Sequence, residues 1–436
     1  MSELINNIKE LTKLNFKDLV DIRRDIHANP EIGTEEFRTQ ELIIKYLEKL
    51  GKYQIVKSAD TGVVAIIKGT KSDSEKCIGL RADIDALGIE DMKEVSYKSK
   101  NKGVCHACGH DVHTTILLGV ASNLAKMQDQ FSGYVKLFFQ PAEENIGGAE
   151  RMIKEGFMKN PDVQAMLGLH VSENYNVGKV RFCYGTMQAS SDEIEIRVKG
   201  FSSHAAHPEN GVDAILVACQ IVNSLQSIAS RNVAPTDSIA LSLGKINGGT
   251  IANALAETVV IEGTVRTLLP DTRIRVINNI KRICDNVAKA YGASAEVIMT
   301  PCYPPVINDE EMNDFVKANA LEFIDKKDVV INNVPSLGVE DFAYFAKEVP
   351  SCFYNLGIRN EEKGIKYPGH NNKFDVDEDS IYYGVVLQTL STVWKCLFCQ
   401  IMQRPLLQRS PYSYRIFPLL VYNLDHGKMV LNIITN

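Results

Sequence analysis

The chain has 436 residues, 45% hydrophobic, 23% charged and 8% aromatic, with 54 acidic against 48 basic side chains for a formal net charge of -6. That composition excludes a disordered, collagen-like or coiled-coil chain, and at about 150 residues per domain it predicts two or three domains, each with its own core. The mild acidity and the lack of any lysine or arginine block argue against nucleic acid or an anionic membrane surface as partner.

No apolar run approaches the roughly 18 residues of a membrane span, and the opening MSELINNIKELTKL has no signal-peptide core, so the expected setting is the cytoplasm, with no membrane partner. Ten cysteines are scattered without a disulfide-scaffold spacing, which predicts reduced and mostly buried thiols. In chain order, apolar residues at helical spacing over 37–50, stopped by Gly51, predict a helix. Strands at 62–69 and 76–83, a helix over 111–127, and strands at 133–139 and 162–170 follow. This alternation reads as α/β with a central, mostly parallel sheet covered by helices on both faces.

The rhythm then changes. A strand at 193–200, a helix over 211–229, strands at 238–246 and 258–268, a helix over 271–291 and a strand at 294–300 make β-α-β-β-α-β, an inserted ferredoxin-like α+β unit with an antiparallel sheet. The proline-rich PCYPPV at 301–306 is the expected hinge back. A helix near 310–325, the DVVINN strand, a helix from about 339, a strand at 352–358 and a helix over 377–395 resume the α/β pattern. The expected division is therefore 1–186 with 301–395, interrupted by 187–300, and followed by a tail, 396–436, of no clear period. The tail's Cys396-x-x-Cys399 reads as incidental, because no second ligand pair follows.

Chemistry concentrates in Cys105-His106-Ala107-Cys108-Gly109-His110-Asp111-Val112-His113, between a strand region and a helix start, where open α/β sheets place ligands. Cys108 and His110 flank Gly109, so both can point into one pocket, and thiolate and imidazole suit Zn²⁺ and its neighbours. The competing reading is a capped helix start with a buried cysteine and a surface histidine. Glu143 and Glu144 follow the apolar FFQ; at the carboxyl end of a buried strand they face different ways, so one can bind metal while the other handles protons, although adjacent glutamates are usually a solvated pair. His170 and His370 each read singly as structural; together with the others they complete one thiolate, three imidazoles and a carboxylate, about what two shared metal ions need. Asp83 and Asp85 share one side of a strand end, either to orient a ligand histidine or as an N-cap with an ion pair to Arg81. No G-x-S-x-G elbow, Walker A loop or G-x-G-x-x-G after a strand occurs, and Gly248-Gly249 reads as a turn.

The strings RRDIHANPEIGTEEFRT, LRADIDAL, HACGHDVHTTILLG, FFQPAEE, SSHAAHP, NGGTIANAL, GTVRT, EDFAYF and GHNNKFDVDE, in order over about 15–395, resemble the M20 metallopeptidase family. The resemblance is to its N-acyl-amino-acid amidohydrolase branch of hippurate and auxin-conjugate hydrolases. It implies a catalytic domain interrupted by a dimerisation or lid domain, and a homodimer or higher homo-oligomer. It implies two divalent metals per chain (Zn, Mn, Co or Ni) held by Cys108, His110, Glu144, His170 and His370, with Glu143 as general acid/base. His204 looks like the family histidine that reaches the partner subunit's site to stabilise the oxyanion, and Asn253 and Arg266 like the pair contacting substrate, with Arg266 gripping its carboxylate through a bidentate fork. The chain departs from the branch at Ser202-Ser203, where glycines are common, and at Leu255-Ala256, where Ile-Pro is. The activity implied is hydrolysis of N-acyl (acetyl, benzoyl or similar) amino acids. Neighbouring readings are a dipeptidase or aminopeptidase, or an N-acetyl-diaminopimelate deacetylase. A non-catalytic metal-binding dimer and a pure scaffold are the readings from other classes; the first has no use for Glu143, the second none for the cysteine and histidine clusters.

Overall fold

The computed structural model describes residues 2–398, with side chains described as far as Trp394, so the tail expected from 396 and its Cys396-x-x-Cys399 pair lie outside the described residues apart from the backbone of 396–398. The chain opens with α1 (Ser2–Ala28), a helix the sequence reading passed over. Its buried face carries Ile5, Ile8, Leu19 and Ile26 at helical spacing, but also the buried Arg23 and His27, whose polar side chains obscure the stripe. Helix α2 (Phe37–Leu50) follows as predicted, and Gly51 closes it at φ 65, its N–H donating to the Glu48 carbonyl.

Strands β1 (Gln54–Ser58), β2 (Gly62–Lys68) and β3 (Cys77–Asp83), helix α3 (His110–Lys126), strand β4 (Tyr134–Gln140), the short α4 (Ala149–Lys154), then β5 (Val163–Asn176), β6 (Val180–Phe182) and β7 (Gly185–Gln188) come next. The central strands are buried on both faces, so they read as apolar runs: Val63, Ala65, Leu137 and Phe139 pack toward α1 and α3, while Val64 and Phe138 pack toward α4 on the opposite face.

The four-stranded layer consists of β8 (Ser190–Lys199), α5 (Ala214–Ser227), β9 (Ile239–Gly248), β10 (Thr258–Thr267), α6 (Pro270–Ala290) and β11 (Ser294–Pro301). Its strands lie in the order β11-β8-β10-β9, every pairing antiparallel. Ile194, Ile196, Val198 and Ile261 of the sheet bury themselves against Val217 and Ile221 of α5 and Val276 and Ile280 of α6, a core separate from those of the larger sheet. The predicted β-α-β-β-α-β order is the observed one.

Beyond the 301–306 crossing come β12 (Val306–Asn308), which pairs with β7, then α7 (Glu310–Leu321), β13 (Val329–Ile331), α8 (Ala343–Glu348), β14 (Ser351–Arg359) and α9 (Asp379–Phe398). The large sheet is ordered β1-β2-β4-β3-β5-β14-β6-β13. Its β4·β3, β3·β5, β5·β14 and β6·β13 pairings are parallel; those of β1·β2, β2·β4 and β14·β6 are antiparallel.

Two expectations shift. The helix expected from about 339 starts at Ala343, because Glu340 and Asp341 are drawn to the buried Arg81 and spend their carboxylates on the N–H groups of Phe342 and Ala149. His170, expected at a strand end, stands within β5, which runs on to Asn176 because β14 pairs with it beyond that point, Leu356 opposite Val171 and Arg359 opposite Asn176. Among the described residues no helix is long and apolar enough to cross a membrane.

Candidate metal centre

The carboxyl ends of β3 and β4, the middle of β5 at His170 and the start of α3 converge on one place, near where parallel α/β sheets hold ligands. Gly109 precedes α3 at φ 91, and a Cβ there would stand 2.3 Å from Val171 Cγ2, so only glycine fits between Cys108 and His110. Cys108 Sγ lies 3.4 Å from His170 Nε2. The donor atoms of Cys108, His110 and His170 lie within 4.8 Å of one another, as do those of Cys108, Glu144 and His370, and those of His110, Glu143 and Glu144. Residues from four stretches of chain thus form one cluster, and it includes every ligand the sequence predicts.

The surroundings aim these donors. Nδ1–H of His110 donates to the Asp85 backbone oxygen at 3.0 Å and to Asp85 Oδ1 at 3.1 Å, which orients the ring and leaves Nε2 facing the cluster. Oδ2 of Asp85 accepts the Glu144 N–H at 2.9 Å, so one carboxylate orients two of the donors. His170 Nδ1–H donates to the Val171 carbonyl at 2.6 Å, which turns its Nε2 toward Cys108 Sγ. Asp83 makes the expected ion pair with Arg81 at 2.8 Å and accepts from His113 Nδ1 at 2.6 Å, a histidine outside the predicted ligand set, so of the two aspartates it is Asp85 that orients a predicted ligand. Nε2 of His113 in turn accepts the Val171 N–H at 2.9 Å, tying β3, α3 and β5 together; burial drives its pKa down to about 4, so this ring is a neutral strut. His370 enters from the loop before α9 at a left-handed φ of 60, its N–H on the Ala107 carbonyl and its Nε2 3.4 Å from Glu144 Oε1. The His370 side chain is 56% exposed, which leaves the cluster open on that side.

Two buried atoms here have no hydrogen-bond partner: His110 Nε2 and Glu144 Oε1, 3.9 Å apart. Buried polar atoms are normally paired, and an imidazole nitrogen and a carboxylate oxygen facing each other among a thiol and two further imidazoles fit a divalent cation. Burial and the charges of Glu144 and Glu143 push the Cys108 thiol up, with His110 opposing. Burial also opposes ionisation of Glu144, yet the adjacent His370 imidazole, 3.4 Å away, and then His110 hold it below its ordinary value. Its neighbour goes the other way: burial, then the charges of Glu340, Glu144 and Asp341, push Glu143 well above it. The two neighbouring carboxyls thus sit in opposed environments.

His204, Asn253 and Arg266 are not drawn into this cluster and lie with the four-stranded layer. The His204 ring nitrogen accepts from Ala206 N–H, the Asn253 carbonyl from Ala205 N–H, and Arg266 donates to Ser191 Oγ. The sequence reading missed the carboxyls behind Glu143: the donor atoms of Glu143, Glu340 and Asp341 lie within 4.8 Å of one another, and Arg81 neutralises part of their charge. The available signal was an acidic pair opening the apolar EDFAYF. It also missed Glu36, buried under the Pro141–Ala142 turn, with Oε1 accepting the Ala142 N–H at 2.8 Å.

The peptidase family M20/M25/M40 pattern matches residues 79–391. The chain is 36% identical over 397 residues to thermostable carboxypeptidase 2 of Saccharolobus solfataricus, covering 90% of this chain and 98% of that protein. To N-acetyl-L-cysteine deacetylase of Bacillus subtilis it is 40% identical over 365 residues, 84% and 85% of the two chains. Among solved structures it is similar to a dinuclear metal-binding peptidase of the M20 family from Bacillus subtilis, at 30% identity and a TM-score of 0.77 over 88% of this chain and 99% of that one. With a dinuclear relative of the same fold and a donor cluster suited to divalent metal, the chain belongs to peptidase family M20/M25/M40 and is a metal-dependent amide hydrolase.

Proposed function

We propose that the protein hydrolyses the amide bond of N-acyl amino acids, holding two divalent cations through Cys108, His110, Glu144, His170 and His370. The carrying observation is the pair of unpartnered buried atoms, His110 Nε2 and Glu144 Oε1, set among the other donors and beside Glu143. When bound, the cations supply Lewis-acid polarisation of the scissile carbonyl and acidify water. Glu143 takes the proton of the attacking water and delivers it to the leaving nitrogen, and Asp85 keeps His110 and the Glu144 backbone aimed. Asp83 braces the site through Arg81 and His113.

The four-stranded unit, 187–300, serves as dimerisation and lid domain on a catalytic unit of 1–186 and 301–395. A second copy of the chain supplies His204 to the developing oxyanion, and Asn253 and Arg266 bind substrate. That assignment agrees with their position away from the cluster within one chain. The cysteines among the described residues are free thiols, which supports a cytoplasmic setting.

A second reading, a carboxypeptidase, is favoured by the Saccharolobus relative. Both substrates share acyl–NH–CHR–COO⁻, with the free carboxylate on the leaving side where Arg266 would hold it. The test is metal per chain by elemental analysis, with amino-acid release from N-acetyl-methionine, hippurate and N-blocked dipeptides. About two metals and chelator-sensitive release from the first two substrates are expected. Release from blocked dipeptides alone establishes the carboxypeptidase instead, and a metal-loaded chain inert on all three overturns both.

A further inference from the structure

The chain crosses between its eight-stranded and four-stranded sheets twice, and the crossings run side by side. Strand β12 pairs with β7, and just beyond, Ser191 N–H donates to the Tyr303 carbonyl at 2.8 Å and Cys302 N–H to the Ser191 carbonyl at 3.0 Å. The returning crossing carries Tyr303. Its ring lies against Gly147, where a Cβ would come within 2.9 Å of Tyr303 Cε1 and where φ is 75, so both the backbone and the tyrosine require glycine. The Tyr303 hydroxyl donates to the backbone carbonyl of Glu143 at 2.8 Å, with the Asn145 carbonyl at 3.5 Å.

The segment that bears Glu143 and Glu144 is held at three points. Glu36 takes the Ala142 N–H, Asp85 the Glu144 N–H, and Tyr303 the Glu143 carbonyl. Ala142 has a φ of 59, a left-handed conformation that a non-glycine residue keeps only when its surroundings impose it. Glu36 and Asp85 come from chain that builds the large sheet, whereas Tyr303 comes from the crossing. The next tyrosine is a natural control: Tyr344 OH donates to the Cys302 carbonyl at 2.6 Å and its ring meets Tyr303 edge-on, so it fastens the crossing to α8 without a hydrogen bond to the Glu143 segment.

We propose that Tyr303 is a positioning residue that links the crossing between the two sheets to the Glu143–Glu144 peptide, so that the disposition of the four-stranded unit sets the aim of the Glu143 carboxyl. This rests on the reading of Glu143 as the proton carrier. A carboxyl that must meet both a water and a leaving nitrogen tolerates little misplacement, and a hydroxyl on its own backbone carbonyl is a direct handle on its position.

Tyr303→Phe keeps the ring against Gly147 and removes only the hydroxyl. In metal-loaded enzyme it is expected to lower kcat on N-acetyl-methionine by about fivefold to tenfold, the worth of one hydrogen bond, with KM changed less than about twofold. Metal content is expected to stay at the wild-type value, and hydrogen exchange of the backbone amides over 141–147 to accelerate. Tyr344→Phe is expected to leave kcat and that exchange at wild-type values. Unchanged kcat in Tyr303→Phe alongside an active wild type overturns the proposal, as does unchanged exchange over 141–147, or a Tyr344→Phe enzyme that reproduces both effects. A wild type that hydrolyses none of the substrates instead removes the proposed function, while exchange accelerated by Tyr303→Phe alone still supports the link.

Discussion

Glu143 and Glu144 are neighbours in sequence and opposites in environment. Glu144 is held below its ordinary value beside His370 and His110, while burial and the charges of Glu340, Glu144 and Asp341 push Glu143 well above its own. Glu143→Gln preserves shape but cannot carry a proton, so it is expected to lower kcat by about 10²- to 10⁴-fold with metal content unchanged. Elemental analysis and steady-state kinetics on the same preparation check it, and a metal-replete variant with most of its turnover removes the role. Glu36 offers a second single-residue test, by pH. Burial pushes its carboxyl up to about 7, against the hydrogen bonds from Thr61 and Ala142. Because the folded value is raised above the unfolded one, the folded state's advantage is full below about pH 4.5 and is lost as pH rises toward 7, about 3 kcal/mol in all. Glu36→Gln keeps an acceptor for Ala142 and a partner for Thr61 but cannot ionise. Its stability relative to wild type is therefore expected to grow by about 2 kcal/mol from about pH 5.5 to about pH 8.5 in urea unfolding, and a difference independent of pH would sink this account.

Helix α3 begins where the site begins, and one residue sets that junction. Gly109→Ala must strain a backbone at φ 91 and push against Val171, which moves Cys108 and His110 apart. Metal affinity is expected to fall by tenfold or more, read by competition with a chelating dye, together with a stability loss of about 1 kcal/mol or more. Elements with a clean period were legible in the sequence: 37–50 repeats its apolar positions and stops at Gly51, and the strands at 62–69 and 76–83 are short apolar runs. Helix α1 was not, because the buried ion pair of Arg23 with Asp111 and the hydrogen bond of His27 to Asp111 place polar residues on the very face that should read as apolar. The start of α8 was displaced for the same kind of reason, a long-range partner for Glu340 and Asp341 that no local pattern announces.

For the molecule as a whole, metal is expected to be part of the fold's stability as well as its chemistry. Asp83, Asp85, Glu143, Glu144, Glu340 and Asp341 gather on or beside the cluster with one buried guanidinium, Arg81, against three of them. A cation that binds only the folded chain adds about 2.7 kcal/mol at a free concentration near 100 times its Kd. Stripping with EDTA is therefore expected to abolish amino-acid release and lower the melting temperature, and added Mn²⁺ or Zn²⁺ to restore both. An apoprotein that melts with the holoprotein would mean that these donors are satisfied without metal.

The sequence by itself determined what depends on neighbours along the chain: the α/β alternation, the β-α-β-β-α-β interruption, and the pairing of Cys108 with His110 across a glycine and of Glu143 with Glu144 after an apolar strand. Only the tertiary structure decided which distant groups meet. Parallel pairing of β14 with β5 sets Asn355 beside His170, and the loop after β14 brings His370 to Glu144, more than two hundred residues away in the chain. Whether Asp83 and Asp85 orient histidines or pair with Arg81 was equally open from the chain alone; in the fold Asp85 takes His110, and Asp83 takes His113 and Arg81 together. Local propensity is a property of a dozen residues, but a hydrogen bond between remote side chains depends on strand order and crossing geometry, and those arise only when the whole sheet closes on its core.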